Sequence, residues 1–150
     1  MKKGLYCFMA IMAATLFSVS CCRKDGKGTE KEEVVERVWR FAQSRPDGFT
    51  VDVRTMKEPS EGIAVSYSAT QRSHSRESLY FVVSHALGHD GYVGGWLDGE
   101  TGIYYFDSTR LFPEDRLDEA LAFARENNQT AVYIISTREE IRVDEMSMAA

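Results

Sequence analysis

Two histidines four residues apart with an acid beside them, in the stretch "HALGHD" at 85–90, form the first grouping equipped for chemistry. At helical spacing His85 and His89 share one side, and two imidazoles so placed can ligate zinc. A zinc protease needs a glutamate directly after the first histidine as general base, and position 86 is alanine. A third ligand would have to come from elsewhere, such as Asp98, Glu100 or Asp107. The competing reading is a helix end, where histidines suit the negative end of the dipole and glycines stop the helix.

The second grouping is aromatic. Tyr92, Trp96, Tyr104, Tyr105 and Phe106 crowd into "GYVGGW" and "YYFDS". Alternation along paired strands sends some of them to a core and leaves others outward, where aromatic side chains gather partners. Gly94 and Gly95 follow no dinucleotide or P-loop pattern and read as a bulge or a close backbone approach. Ser73, His74 and Ser75 offer hydroxyls beside an imidazole, but neighbours on an extended segment point apart, and no nucleophile-elbow motif is present. That stretch reads as a polar loop that caps a helix. Asp52, Asp98 and Asp107 lie near strand ends and supply carboxylates of the kind glycoside chemistry uses in pairs.

Elements must hold these groups in place. "TEKE" at 29–32 is a capping box, and Val34, Val35, Val38, Trp39 and Ala42 follow as one apolar helical stripe. "RPDG" at 45–48 is a turn. Phe49, Val51 and Val53 alternate with polar residues as a half-buried strand does, and "IAVSY" at 63–67 forms a second strand. Leu79, Val82, Val83 and Ala86 mark a helix that ends near Gly88–Gly91. A hairpin follows, turning at Asp98, Gly99 and Gly102. Leu117, Ala120, Leu121 and Ala124 form a third helical stripe after Pro113. "AVYII" reads as a central strand and "EEIRV" as an outer one. The fold class is therefore α+β: a small antiparallel or mixed sheet in the order ββαββαββ, helices mostly on one face, preceded by an N-terminal amphipathic helix.

The chain has 150 residues and a formal charge of −5. No basic cluster offers a phosphate-tracking face, which argues against nucleic acid as a partner. Lys2 and Lys3 precede an apolar run, Leu5 to Phe17, that is short for a membrane span but suits a targeting segment. Removing residues 1–20 takes both lysines, leaving 16 basic against 23 acidic residues, or −7, a balance that suits a basic partner. The three cysteines are Cys7, Cys21 and Cys22, so the rest of the chain holds no thiol and must stand on its core.

The run ending in "SVSCC" resembles a bacterial lipoprotein signal, in which small residues precede a lipid-accepting cysteine. The resemblance covers residues 1–22. It implies cleavage before Cys21 and acylation there, with Cys22 as the alternative, and the third position before Cys21 is Ser18 rather than the usual leucine. Two or more acyl chains give stable anchoring. Residues 1–20 are then a signal peptide, 21–28 a lipidated tether, and 29–150 a single domain. Residues 48–143 are similar to a small domain of phage and mobile-element proteins with no established activity. Together these readings predict a cell-envelope lipoprotein held in a membrane through Cys21. Its soluble part would bind a protein or small ligand through Tyr92, Trp96, Tyr104, Tyr105 and Phe106, without a cofactor, in a protective, immunity-like or accessory role. The alternative is a small metal-dependent hydrolase using His85 and His89.

Overall fold

The structure, a computed structural model, describes residues 29–144. The expected signal, the tether and all three cysteines lie outside the described residues. The expected order appears in full: α1 (Glu30–Gln43), β1 (Phe49–Asp52), β2 (Ile63–Ser66), α2 (Arg76–Gly88), β3 (Tyr92–Leu97), β4 (Tyr104–Phe112), α3 (Leu117–Glu126), β5 (Ala131–Ile134) and β6 (Glu139–Arg142). The strands form one sheet in the order β1-β3-β4-β2-β5-β6, with every neighbouring pair antiparallel.

Local chemistry sets the helix starts. Thr29 accepts from the Glu32 amide while the Glu32 carboxylate accepts from the Thr29 amide, so two orphan donors of α1 are satisfied reciprocally. Ser75, rather than Ser73, caps α2, exchanging the same pair of bonds with Ser78. Ser73 turns inward and donates to the Thr70 carbonyl.

The helices bury one face of the sheet in two adjoining clusters. Val35 and Val38 of α1 and Leu79, Val82, Val83 and Ala86 of α2 meet Val51, Val93 and Phe106 of the sheet. Ala120, Leu121 and Ala124 of α3 meet Ile63, Val65, Phe112 and Val132. Each fully buried aliphatic side chain contributes about 1.5–3 kcal/mol. Gly95 is required here: a Cβ on it would stand 2.5 Å from a ring carbon of Phe49. The "GYVGGW" glycines thus mark close approach and not a bulge, since β3 pairs with β4 without interruption from Tyr92 to Leu97.

One expectation changes. "AVYII" does not lie at the centre of the sheet. β5 sits between β2 and the edge strand β6, and it is buried on one face only, with Val132 inward and Tyr133 exposed. A continuous apolar run looks the same whether one face or both are covered, because tyrosine tolerates either.

Candidate functional site

With the helices on one face, alternate residues of every strand look out from the other. Tyr92, Gly94 and Trp96 of β3 share that open face with Tyr105, Asp107 and Thr109 of β4, because Val93 and Phe106 point to the core. Thr50 of β1, Ala64 and Ser66 of β2, Tyr133 of β5 and Glu140 of β6 continue it. Loops at 44–48, 58–60, 71–72 and 135–138 rise around this floor and make a groove of about 1160 Å³. Carboxylates outnumber guanidiniums along it: Asp47, Glu58, Asp98, Asp107 and Glu140 against Arg45, Arg72 and Arg138. Arg45 is already paired with Glu58 at 3.2 Å.

Asp107 is the unusual residue of this floor. It is 6% exposed, yet it lines the groove. Its Oδ2 accepts from the indole N–H of Trp96 at 3.1 Å. Its Oδ1 has no hydrogen-bond partner among the described residues. Burial pushes its carboxyl up to about 6, against the opposing pull of the Trp96 N–H and the nearby Ser66 hydroxyl. The Ser66 hydroxyl favours the charged form without reaching hydrogen-bond geometry to Oδ1. A buried carboxylate with an empty acceptor is costly and uncommon in a folded protein.

The residues beside Asp107 close over it, and Oδ1 has almost no surface open to the groove. Gly94 stands directly opposite on β3, and the side chain that reaches the carboxylate from that strand is Trp96. A Cβ on Gly94 would stand 2.9 Å from the Thr109 hydroxyl. Trp96 faces Tyr105 across the same pair of strands, rings 5.1 Å apart and 30° from parallel. Trp96 is 47% exposed, so the two rings form an aromatic ledge at the rim.

The structure divides the aromatic set read from the sequence. Tyr92, Trp96 and Tyr105 are on the open face. Phe106 is 2% exposed inside the core, and it is not available to a partner. Tyr104 packs under the same core and donates its hydroxyl to the Arg45 carbonyl at 2.9 Å. Burial, with Asp47 nearby, pushes the Tyr104 hydroxyl up to about 12. Five adjacent aromatics on a hairpin cannot all share one face when the pleat alternates.

The histidines occupy the other side of the sheet, near the C-terminal end of α2. Their rings stack, centroids 3.8 Å apart and 6° from parallel. The His89 Nδ1–H donates to the His85 carbonyl at 2.7 Å, and His85 Nδ1 pairs with the Ser108 hydroxyl at 3.0 Å. Tyr67 packs against both rings and donates its hydroxyl to Asp90. Burial pushes the Tyr67 hydroxyl up to about 12, with Asp90 adding to the shift. Burial also lowers His85, helped by His89 and opposed by Asp90.

Parallel stacked rings send their lone pairs side by side rather than toward a common point, unlike a tetrahedral zinc site. None of the three carboxylates expected to complete such a site does so. Asp98 folds back on its own turn, accepting from Glu100 and Thr101, and Glu100 lies in that turn. Asp107 points away from His85, to the far face of the sheet. Among the described residues no group of three or more His, Cys, Asp or Glu side chains is placed to hold a metal ion. Asp52 likewise closes a turn, accepting from the Arg54 amide at 2.7 Å, so the three strand-end aspartates do not converge.

No family model matches this chain, and no curated protein or solved structure matches it.

Proposed function

We propose that this chain is a cell-envelope lipoprotein, anchored through Cys21, whose soluble domain binds a protein partner with a basic surface through the open face of its sheet. A protective or accessory role belongs to the same reading. The sequence pattern at 1–22 supports the anchor. No helix among the described residues is long and apolar enough to cross a membrane. The observation that carries the binding role is the uncovered floor of the groove, where a buried carboxylate lies next to the exposed Trp96 and the half-buried Tyr105. Excess acid along the groove and a net charge of −5 favour a basic partner.

The anchor is tested by Cys21→Ala, which should release the protein from membranes and abolish lipid labelling. A variant that stays membrane-bound without label contradicts it. The binding face is tested with a photo-crosslinking residue at Tyr133 on the open face or at Tyr80 on α2, in cells making the full chain. The expected outcome is a discrete adduct from position 133, lost when Trp96→Ala is added, to a protein whose contact surface is basic. An adduct from position 80 alone places the interface on the helices and overturns the reading.

A further inference from the structure

We infer that α2 rests its outer face on the bilayer that holds the anchor, with Tyr80 and Phe81 entering the headgroup layer and Lys31 meeting lipid phosphates. The inference rests on the anchor at Cys21 proposed above and names a second contact with the same membrane.

The outer faces of the three helices differ in kind. α1 turns Glu33, Arg37 and Arg40 to solvent, and α3 turns Asp118, Glu119, Arg125 and Glu126. From Ser78 to Gly88, α2 has no Asp, Glu, Lys or Arg. Its outer surface there is led by Tyr80 and Phe81, 42% and 53% exposed. Adjacent rings held in water on an uncharged helix face are unfavourable, and such patches mark contact surfaces. The headgroup layer of a bilayer accommodates them, taking apolar rings and the polar tyrosine tip together.

The choice of a bilayer follows from where the described chain begins. Thr29 caps α1, and about eight residues separate it from Cys21, a reach of at most about 28 Å. Lys31, in the first turn of α1, sets its ammonium 5.4 Å from the centre of the Tyr80 ring. The Tyr80–Phe81 face thus lies beside the point from which the tether leaves. Trp96, Leu97 and Ile103 are also exposed, but they belong to the other end of α1. There Tyr104, next to Ile103, bonds the Arg45 carbonyl just past the last residue of the helix, Gln43. The 14 residues of α1 span about 21 Å between the two ends. Arg23, Lys24 and Lys27 of the tether, with Lys31, offer cations to lipid phosphates. Glu30 and Glu33 in the same first turn offset part of that charge, so the rings carry the contact. The helices cover one face of the sheet, so seating α2 on the bilayer turns the groove on the other face outward, toward a soluble partner.

The test uses the full chain from a bacterial host, reconstituted in vesicles of phosphatidylethanolamine and phosphatidylglycerol. A photo-crosslinking residue replaces Phe81, Leu97 or Tyr133, and flotation reads the anchor separately. The expected result is a lipid adduct from position 81 and none from 97 or 133. Adding Tyr80→Glu and Lys31→Glu, which sets acid against lipid phosphate, should abolish the adduct while the chain still floats. A floating chain with no lipid adduct from 81, or with equal adducts from 81 and 97, overturns the contact and leaves the anchor standing. A crosslink from 81 between two copies of the chain gives the face to self-association and overturns it as well. A chain that does not float with the vesicles fails the anchor, and the contact falls with it.

Discussion

Asp107 and Ser108 are consecutive on β4, and their side chains enter two polar clusters on opposite faces of the sheet. On the helical side, Ser108 joins His85, His89, Tyr67 and Asp90, where the two imidazoles stack, each Nδ1 has a protein partner and the Tyr67 hydroxyl bonds Asp90. On the open side, Asp107 is nearly as buried as Ser108 but keeps one oxygen without a partner among the described residues. The first cluster holds α2 and the β2 end to the sheet. The second is incomplete within the described residues. Satisfied buried networks rigidify a fold, whereas an unsatisfied one lowers stability and persists where function uses it. The residues that look most catalytic by type, the paired histidines, are the ones whose Nδ1 atoms are held by internal partners.

Asp107→Asn gives the sharpest break between the two regions. The folded protein holds the Asp107 proton up to about pH 6, while an unfolded chain loses it near the ordinary aspartate value of 3.8. Between those values the native state binds more protons, so stability falls as pH rises through that window and stays lower above it. The lost stability is about 3 kcal/mol from the size of the shift. Asp107→Asn, which cannot ionise, should be more stable than the native chain by up to that amount at pH 7–8 and little changed at pH 4. Urea unfolding at the two pH values checks this. A variant less stable at pH 8 would show that the carboxylate is paired after all.

Ser108→Ala should act in the reverse sense. It strips the partner from His85 in a buried setting and should cost about 1–2 kcal/mol at any pH where the protein is folded. Thermal denaturation reads it out. Tyr67→Phe removes the hydroxyl bond to the half-exposed Asp90 but keeps the ring among His85, His89 and Phe123. Its cost should be smaller, about 0.5–1.5 kcal/mol by the same measurement.

The smallest expected effect is also opposite in pH. His85 is held below the usual histidine value of 6.5 by burial. An unfolded chain takes up the proton first as pH falls, so this residue's contribution is present above pH 6.5 and is lost on acidification. His85→Gln should lessen the loss of stability on acidification below pH 6.5, a change of slope opposite in sign to that of Asp107→Asn. If His85→Gln changes the slope in the same sense as Asp107→Asn, the burial assigned to His85 is wrong.

Much of the fold is legible in the sequence because local signals carried it. The Thr29–Glu32 box, the stripes of three helices and the Asp98–Gly102 turn each depend on residues within a few positions of one another. The helices lie on one face, as the alternating strands imply. The candidate site was only partly legible. Alternation alone places Trp96, Tyr105 and Asp107 on a common face once β3 and β4 are paired. Ser66 comes near only because β2 pairs with β4 across a helix and a hairpin, with Ser66 opposite Thr109. That is a matter of strand order, which spacing does not encode. Nor does spacing reveal that Asp52 and Asp98 are consumed by their own turns while Asp107 is left without a partner.

The most direct measurement is the titration of the Asp107 carboxyl carbon by NMR in the full chain. The account predicts a midpoint of about 6, set by burial. A midpoint in the usual carboxylate range would contradict it.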